Sequence, residues 1–313
     1  MKISKIFSIF KDINSLKKGR IRYTSIYVTN KCNSRCKICS IWKHQPKNEL
    51  EPDVIEKIFI SPFTRGAEHS LTGGEFFLHS RWEEILKLAN KYKINYTIFT
   101  NGLLTETITY AVKKFKIPNI SISLDGTPST YKEVRGIDGY TKVIETIKKI
   151  KDRTRISLTY VANPLNTEYD LLHVKNIVKK YNLNLNIVLF ETRLLFKPNL
   201  EGQTNYDYLK NEKRGFIQSF FLWREGKLNI PCWSIFLVLN IMPNGDVILC
   251  QNKNIKLGNL YEVPLEKIWI SKKTKNIQKK YLKCNECWIA CNRPIDNRLR
   301  FFEKFIKIKN IER

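Results

Sequence analysis

The sequence contains no apolar run of the roughly 18 residues that a membrane-crossing helix needs, so no transmembrane span is expected. Its first 20 residues alternate apolar and basic side chains and lack the continuous apolar stretch of a secretory signal. Internal repeats and low-complexity segments are also missing, which excludes solenoid and tail-like architectures. Acidic residues are scarce: 29 Asp and Glu face 55 Lys and Arg, a formal net charge of +26. Such a field draws polyanions, whether nucleic acid, anionic lipid surfaces or phosphorylated substrates. The lysines are spread along the whole chain, however, without the dense basic block of a nucleic-acid-binding arm, so charge alone assigns no partner. With neither span nor export signal, the expected location is cytoplasmic, where thiols stay reduced. The eight cysteines then read as metal or cluster ligands before they read as disulfides.

At 313 residues the chain suits one large domain and a smaller one. Residues 2–18 place Ile3, Ile6, Phe7, Phe10, Ile13 and Leu16 at helical spacing among lysines. That pattern predicts a helix packed on a domain surface, with an interfacial membrane helix as the alternative. From Ile21 onward strand-like and helix-like segments alternate. Strands are expected at 22–29, 67–72, 95–100, 118–124, 155–161 and 184–190, with helical periodicity between them. Repeated strand–helix units give parallel strands joined by right-handed crossovers. Six units in about 200 residues are too few for a closed eightfold barrel and fit a partial (β/α)6 barrel open on one side. Residues 204–226 read as one long helix. Beyond it, Phe236 to Cys250 alternates around Pro243-Asn244-Gly245-Asp246, a hairpin signal. The expected organisation is an N-terminal amphipathic helix over 1–20, a partial α/β barrel over 21–215, and a small hairpin-plus-helix domain over 216–313. A terminal helix carrying Phe301, Phe302, Phe305, Ile306 and Ile308 caps the whole.

Chemistry is expected at the carboxyl ends of the strands. The first strand is followed by Cys32, Cys36 and Cys39, spaced Cys-x3-Cys-x2-Cys. Three thiolates on one short loop can hold three corners of an iron–sulfur cube and leave one iron open. A zinc loop and scattered core thiols are the alternatives, though zinc favours four closed ligands in paired Cys-x2-Cys units. The second strand runs into Gly73-Gly74-Glu75, where glycines allow close backbone approach and a carboxylate could take an amine. The third ends at Thr100-Asn101-Gly102. The fourth ends at Ser121-Ile122-Ser123-Leu124-Asp125-Gly126, with Ser123 and Asp125 on one side, a spacing that suits a ribose diol. Each motif alone is weak, but their order along one rim is informative.

Taken together, these motifs resemble the radical S-adenosylmethionine (SAM) enzymes, over roughly residues 21 to 291. The resemblance implies that Cys32, Cys36 and Cys39 hold a [4Fe-4S] cluster whose open iron chelates the amino and carboxylate groups of SAM. It implies that Gly73, Gly74 and Glu75 bind the SAM amine and that Ser123 and Asp125 bind its ribose. Arg135, before Gly136, is implied to help hold SAM, and Asn166 to add a polar contact. Phe76 stands where the family usually has proline, and the glycine-rich signal of strand five is missing. The tail resembles the auxiliary-cluster extension called SPASM, or its shorter Twitch form. Its features are Cys232, then Asn244-Gly245-Asp246-Val247-Ile248-Leu249-Cys250, Leu257-Gly258-Asn259-Leu260, Ile268-Trp269, and Cys284-x2-Cys287-x3-Cys291. Five cysteines suffice for one further [4Fe-4S] cluster. A structural zinc site is the alternative there too.

The resemblance implies reductive cleavage of SAM to methionine and a 5′-deoxyadenosyl radical, which takes a hydrogen atom from an organic substrate. The expected outcome is oxidation or modification of a sugar or cyclitol, a cofactor precursor or a peptide, with electrons supplied by a donor such as ferredoxin or flavodoxin. No residue of the chain is singled out as catalytic. About 20 residues precede the first strand, too few for a folded leader-binding module, which lowers the peptide expectation without removing it. An RNA- or lipid-linked substrate is the enzyme alternative. A non-catalytic zinc protein that contacts nucleic acid is the alternative of another class.

Overall fold

The structure is a computed structural model that describes residues 3–190, 198, 200 and 204–305. Six strands follow one another in chain order: β1 (Tyr23–Thr29), β2 (Glu68–Gly73), β3 (Asn95–Thr100), β4 (Asn119–Ser123), β5 (Arg155–Ala162) and β6 (Asn184–Leu189). Each pairs in parallel with the next. Three more, β7 (Val238–Ile241), β8 (Asp246–Cys250) and β9 (Ile255–Asn259), come from the C-terminal region. All nine form one sheet in the order β6-β5-β4-β3-β2-β1-β7-β8-β9. The barrel is therefore unclosed, as the six-unit pattern predicts. The hairpin does not stand apart: β7 pairs in parallel with β1, so the C-terminal strands extend the barrel's own sheet.

Crossover helices cover the outer face: α2 (Pro52–Ile60), α3 (Trp82–Lys91), α4 (Thr105–Phe115), α6 (Tyr140–Ile150) and α7 (Glu168–Tyr181). Their apolar stripes meet strand residues Ile26, Leu71, Ile98, Ile120, Ile122 and Leu158, all fully buried in one core. The period-3.6 stripe decides which face packs. In α6 Val143, Thr146, Ile147 and Ile150 are buried, while the lysines stay outside. The turn that starts α7 is held by a reciprocal cap between Thr167 and Asp170. The opposite face of the sheet is more polar, and Ser25, Ser70, Thr159 and Asn186 line a cavity of about 780 Å³ inside the barrel.

A further helix, α5 (Pro128–Arg135), follows β4 and stands over the rim. Residues 204–226 are not one helix. They hold a 3-10 turn at Asp207–Leu209 and then α8 (Gly215–Arg224). The Asn205 side chain accepts from the Asp207 N–H at 2.9 Å, and this local bond competes with a helical start. The N-terminal helix α1 (Ile3–Lys17) packs through Ile9, Asp12 and Leu16 and leaves Phe7 and Phe10 exposed. The fully buried Asp12 accepts from Tyr23 at 2.9 Å and from Arg298 at 3.0 Å. The tail continues with α9 (Leu265–Ile270), α10 (Lys272–Tyr281), α11 (Arg293–Leu299) and a 3-10 segment, Arg300–Phe305; Ile306 and Ile308 lie outside the described residues. Among the described residues no helix is long and apolar enough to cross a membrane.

Candidate active site and cluster-binding sites

The loop after β1 carries Cys32, Cys36 and Cys39, and the structure fastens it from three directions. From β2, the Gly74 N–H donates to the Thr29 carbonyl at 2.7 Å and the Glu75 N–H to the Lys31 carbonyl at 2.8 Å. The fit is close: a Cβ on Gly73 would stand 2.3 Å from the Thr29 oxygen, and one on Gly74 2.2 Å from the Lys31 oxygen. Only glycine allows that approach. From the loop after β3, the Asn101 amide donates to Asn33 Oδ1 at 2.6 Å and to the Ser34 hydroxyl at 3.2 Å. From the end of α5, the Arg135 carbonyl accepts the Arg35 N–H at 3.0 Å and the Val134 carbonyl accepts the Lys37 N–H at 2.9 Å.

Glu75 is fully buried. Its carboxylate accepts from the Thr100 hydroxyl at 2.8 Å, the Asn101 N–H at 2.8 Å and the Phe77 N–H at 3.3 Å. Burial raises its carboxyl to about 7, against those three donors. Glu75 thus ties the ends of β2 and β3 together beside the cysteine loop. Asp125 is also fully buried, just beyond β4. It forms an ion pair with Arg135 and accepts the Val161 N–H at 2.8 Å. Burial pushes its carboxyl up while Arg135 pulls it down. The other arm of the Arg135 fork points at Cys36 Sγ, 3.8 Å away. Ser123 is half-buried at the end of β4. Asn166 donates to the Asp125 carbonyl at 3.2 Å and the Val161 carbonyl at 2.8 Å, so it holds the strand-four loop in place.

The geometry therefore gathers Gly73, Gly74, Glu75, Asp125, Arg135 and Asn166 around or behind the cysteine loop. It adds residues for which the sequence reading had no role. Asn101 belongs to a rim turn noted only as a loop. Tyr131, on α5, is fully buried. Its hydroxyl and Arg135 Nε have no hydrogen-bond partner among the described residues. The missed helix α5 does carry signals, Thr127-Pro128 at its start and Gly136, with φ 63°, at its end.

None of the eight cysteines is in a disulfide. Among the described residues no three Cys, His, Asp or Glu side chains converge on a single ion. The donor chemistry fits a cluster at the first loop: three thiols, glycine backbone pressed beside them, and buried polar atoms without partners nearby. Burial raises the Cys32 thiol to about 12, so a bound cation is what would hold it as thiolate.

In the tail, Cys232, Cys250 and Cys284 line one narrow cavity with Ile235, Leu249 and Tyr281. Burial raises the Cys232 thiol, with Asp296 and the Cys287 thiol among the charges that act on it. Burial raises the Cys250 thiol too. Cys287 lies on an adjoining cleft with Phe190 and Trp223. Cys291 lies apart and lines the barrel cavity. The donor set fits a second cluster: Cys232, Cys250 and Cys284 line one cavity that has no carboxylate in its lining, and Cys287 on the adjoining cleft offers a fourth thiol.

The comparisons with known proteins agree with this geometry. The Radical SAM superfamily model matches residues 26–176, and the iron–sulfur cluster-binding (SPASM) domain model matches 232–291. A probable GTP 3′,8-cyclase of Methanocaldococcus jannaschii is 28% identical over 61% of this chain and 66% of its own length. One from Thermococcus kodakarensis is 31% identical over 40% of this chain and 42% of its own. A radical SAM cyclopropyl synthase of Paramaledivibacter caminithermalis is 25% identical over 80% of this chain and 62% of its own. The chain thus spans about two fifths to two thirds of the length of these curated relatives. Among solved structures, Streptococcus suis SuiB bound to SAM superposes with a TM-score of 0.70, 16% identity, over 86% of this chain and 71% of that one. The enzyme anSMEcpe, with AdoMet and a peptide, superposes at 0.60 and 16% identity over 93% and 98%. With both models in chain order on an open parallel barrel, the chain belongs to the radical SAM superfamily and is an enzyme of it that carries a SPASM-type cluster-binding region.

Proposed function

We propose that the protein uses SAM, bound at the Cys32/Cys36/Cys39 loop, to abstract a hydrogen atom from a polar organic substrate held in the barrel cavity. The observation that carries this reading is the loop itself, three thiols fastened by the Gly73-Gly74 backbone, Asn101 and the end of α5. A [4Fe-4S] cube held there by Cys32, Cys36 and Cys39 would supply the electron for reductive cleavage of SAM.

The chain's own residues do the rest. Cys32, Cys36 and Cys39 hold the cube. The backbone of Gly73 and Gly74 offers a close-fitting edge to the SAM amine. Glu75 keeps that edge against β3, and Arg135 steadies Cys36 from a buried ion pair. Ser123, half-buried on the rim, is a candidate for the ribose. The barrel wall presents Ser25, Ser70, Thr159 and Asn186 to the substrate. Those hydroxyl and amide groups favour a molecule rich in hydrogen-bonding groups, such as a peptide backbone or a sugar. The peptide option gains support because SuiB, which shares this fold, is solved with a precursor peptide. In the tail, Cys232, Cys250, Cys284 and Cys287 hold the auxiliary cluster and Cys291 is not one of its ligands.

The test replaces Cys32, Cys36 and Cys39 by alanine. The wild-type protein, purified without oxygen and reduced with dithionite, is expected to convert SAM to 5′-deoxyadenosine, and the variant to form none. Undiminished 5′-deoxyadenosine from a folded variant overturns the assignment.

A further inference from the structure

One guanidinium in the tail meets five acceptors. Arg293, at the start of α11, is 1% exposed. Its Nε donates to the Cys287 carbonyl at 2.8 Å. Nη2 donates to the Cys284 carbonyl at 3.2 Å and to Asn285 Oδ1 at 3.1 Å. Nη1 donates to the Ile230 carbonyl at 3.1 Å and to Asp296 Oδ2 at 3.3 Å. These bonds use every N–H that an arginine side chain possesses. Asp296, fully buried one turn along, accepts the Ser234 N–H at 2.7 Å and the Ser234 hydroxyl at 3.2 Å. That hydroxyl is in turn 3.4 Å from Cys232 Sγ.

The partners fall in two separate stretches of chain. One is 230–234, which carries Cys232. The other is 284–287, which carries Cys284 and Cys287. The ion pair between Arg293 and Asp296 is what both stretches share. It grips the backbone at or beside these cysteines and none of its bonds uses their sulfur atoms.

We infer that Arg293, seated by Asp296, is the positioning residue of the tail cysteines, holding Cys232, Cys284 and Cys287 at one place before any cluster binds. The inference rests on the reading that the tail holds an iron–sulfur cluster. A buried ion pair kept for stability alone is a poor bargain, because apolar residues of similar volume often serve as well. A planar fork aimed at the carbonyls of two cysteines is explained by position. Lysine cannot replace it, since its rotating ammonium has three donors and no fixed plane.

The test measures iron per chain, SAM affinity and the reduction potentials of reconstituted full-length protein, followed by electron paramagnetic resonance. The wild type is expected to hold about eight irons, two cubes. The double substitution R293M/D296L removes the pair without stranding a buried charge, but it takes the donor from the Ile230, Cys284 and Cys287 carbonyls and the acceptor from the Ser234 N–H, so a folded protein with a lowered thermal midpoint is expected. It is expected to lose the tail iron, falling to about four per chain, one cube, with SAM affinity unchanged. R293K keeps the charge but not the fork, and is expected to lose tail iron as well or to show a shifted tail potential. A folded double variant, or a folded R293K, with full iron and an unshifted tail potential overturns the inference. If the double variant does not fold, R293K decides. A wild type with only the first cluster's iron brings down the auxiliary-cluster reading, and this inference with it.

Discussion

At the scale of single residues, the site depends on atoms that are missing as much as on those present. Gly74 has no Cβ, and the Lys31 carbonyl occupies the space where one would lie, at 2.2 Å. Lys31 begins the cysteine loop, so any side chain at position 74 must push that loop away from β2. Gly74→Ala is expected to destabilise the fold by about 1–3 kcal/mol, the usual scale of overpacking. It should also lower iron at the first site and weaken SAM binding by ten-fold or more, on the order of 1.4 kcal/mol. Iron analysis and a SAM titration of the purified variant check this. Gly73 and Gly74 were legible through their place in the ordered series of rim motifs, since a glycine pair at a strand end is by itself more often just a turn. Glu75 was only half legible. The sequence shows a carboxylate beside the glycines, but not that Thr100, Asn101 and Phe77 already donate to it. Phe77 is a local partner, but Thr100 and Asn101 come from the end of β3, and pairing across a sheet is not written in local spacing.

At the scale of elements, the alternation of strand and helix was readable because buried parallel strands and amphipathic helices have distinct periods. The expected strands at 95–100 and 155–161 correspond to β3 (Asn95–Thr100) and β5 (Arg155–Ala162). Two features escaped. α5 is short and carries few apolar residues, so its period is faint and only its end signals mark it. The stretch 204–226 has helical composition, but the Asn205 side chain breaks its start. The seam between β1 and β2 carries a consequence for pH. His69 is 2% exposed and lies 2.8 Å from the Thr24 hydroxyl. Burial lowers its imidazole from 6.5 to about 4. A depressed imidazole favours the folded state in its neutral form. Its contribution is fully present above pH 6.5 and is lost as pH falls toward 4. The size is on the order of 3 kcal/mol at most, from about 1.4 kcal/mol per pH unit. Thermal midpoints of wild type and His69→Gln, measured from pH 4 to 8, are expected to differ by an amount that changes below pH 6.5 and is flat above it. A difference independent of pH would show that His69 does not titrate in this window.

At the scale of the whole molecule, two cysteine sets belong to regions joined by one continuous nine-stranded sheet. The first set sits on the rim loop after β1. The second comes from Cys232 ahead of β7, Cys250 at the end of β8, and the loop between α10 and α11, and β7 anchors this region to β1. The sequence separated them as barrel and tail, because composition changes there and pairing between β1 and β7 crosses about 200 residues. A buried Arg–Asp pair stands behind each set, Arg135 with Asp125 and Arg293 with Asp296. On the proposed assignment the two sets differ in one respect that can be measured: three thiols at the first would leave one iron for SAM, whereas four at the second would close its shell. The most direct test records electron paramagnetic resonance spectra of the dithionite-reduced protein before and after SAM is added. Two reduced-cluster signals are predicted, one that changes its g-values on SAM binding and disappears in the Cys32/Cys36/Cys39→Ala variant, and one that is indifferent to both. Spectra that do not respond to SAM, or a SAM-responsive signal that survives the triple substitution, would contradict the account.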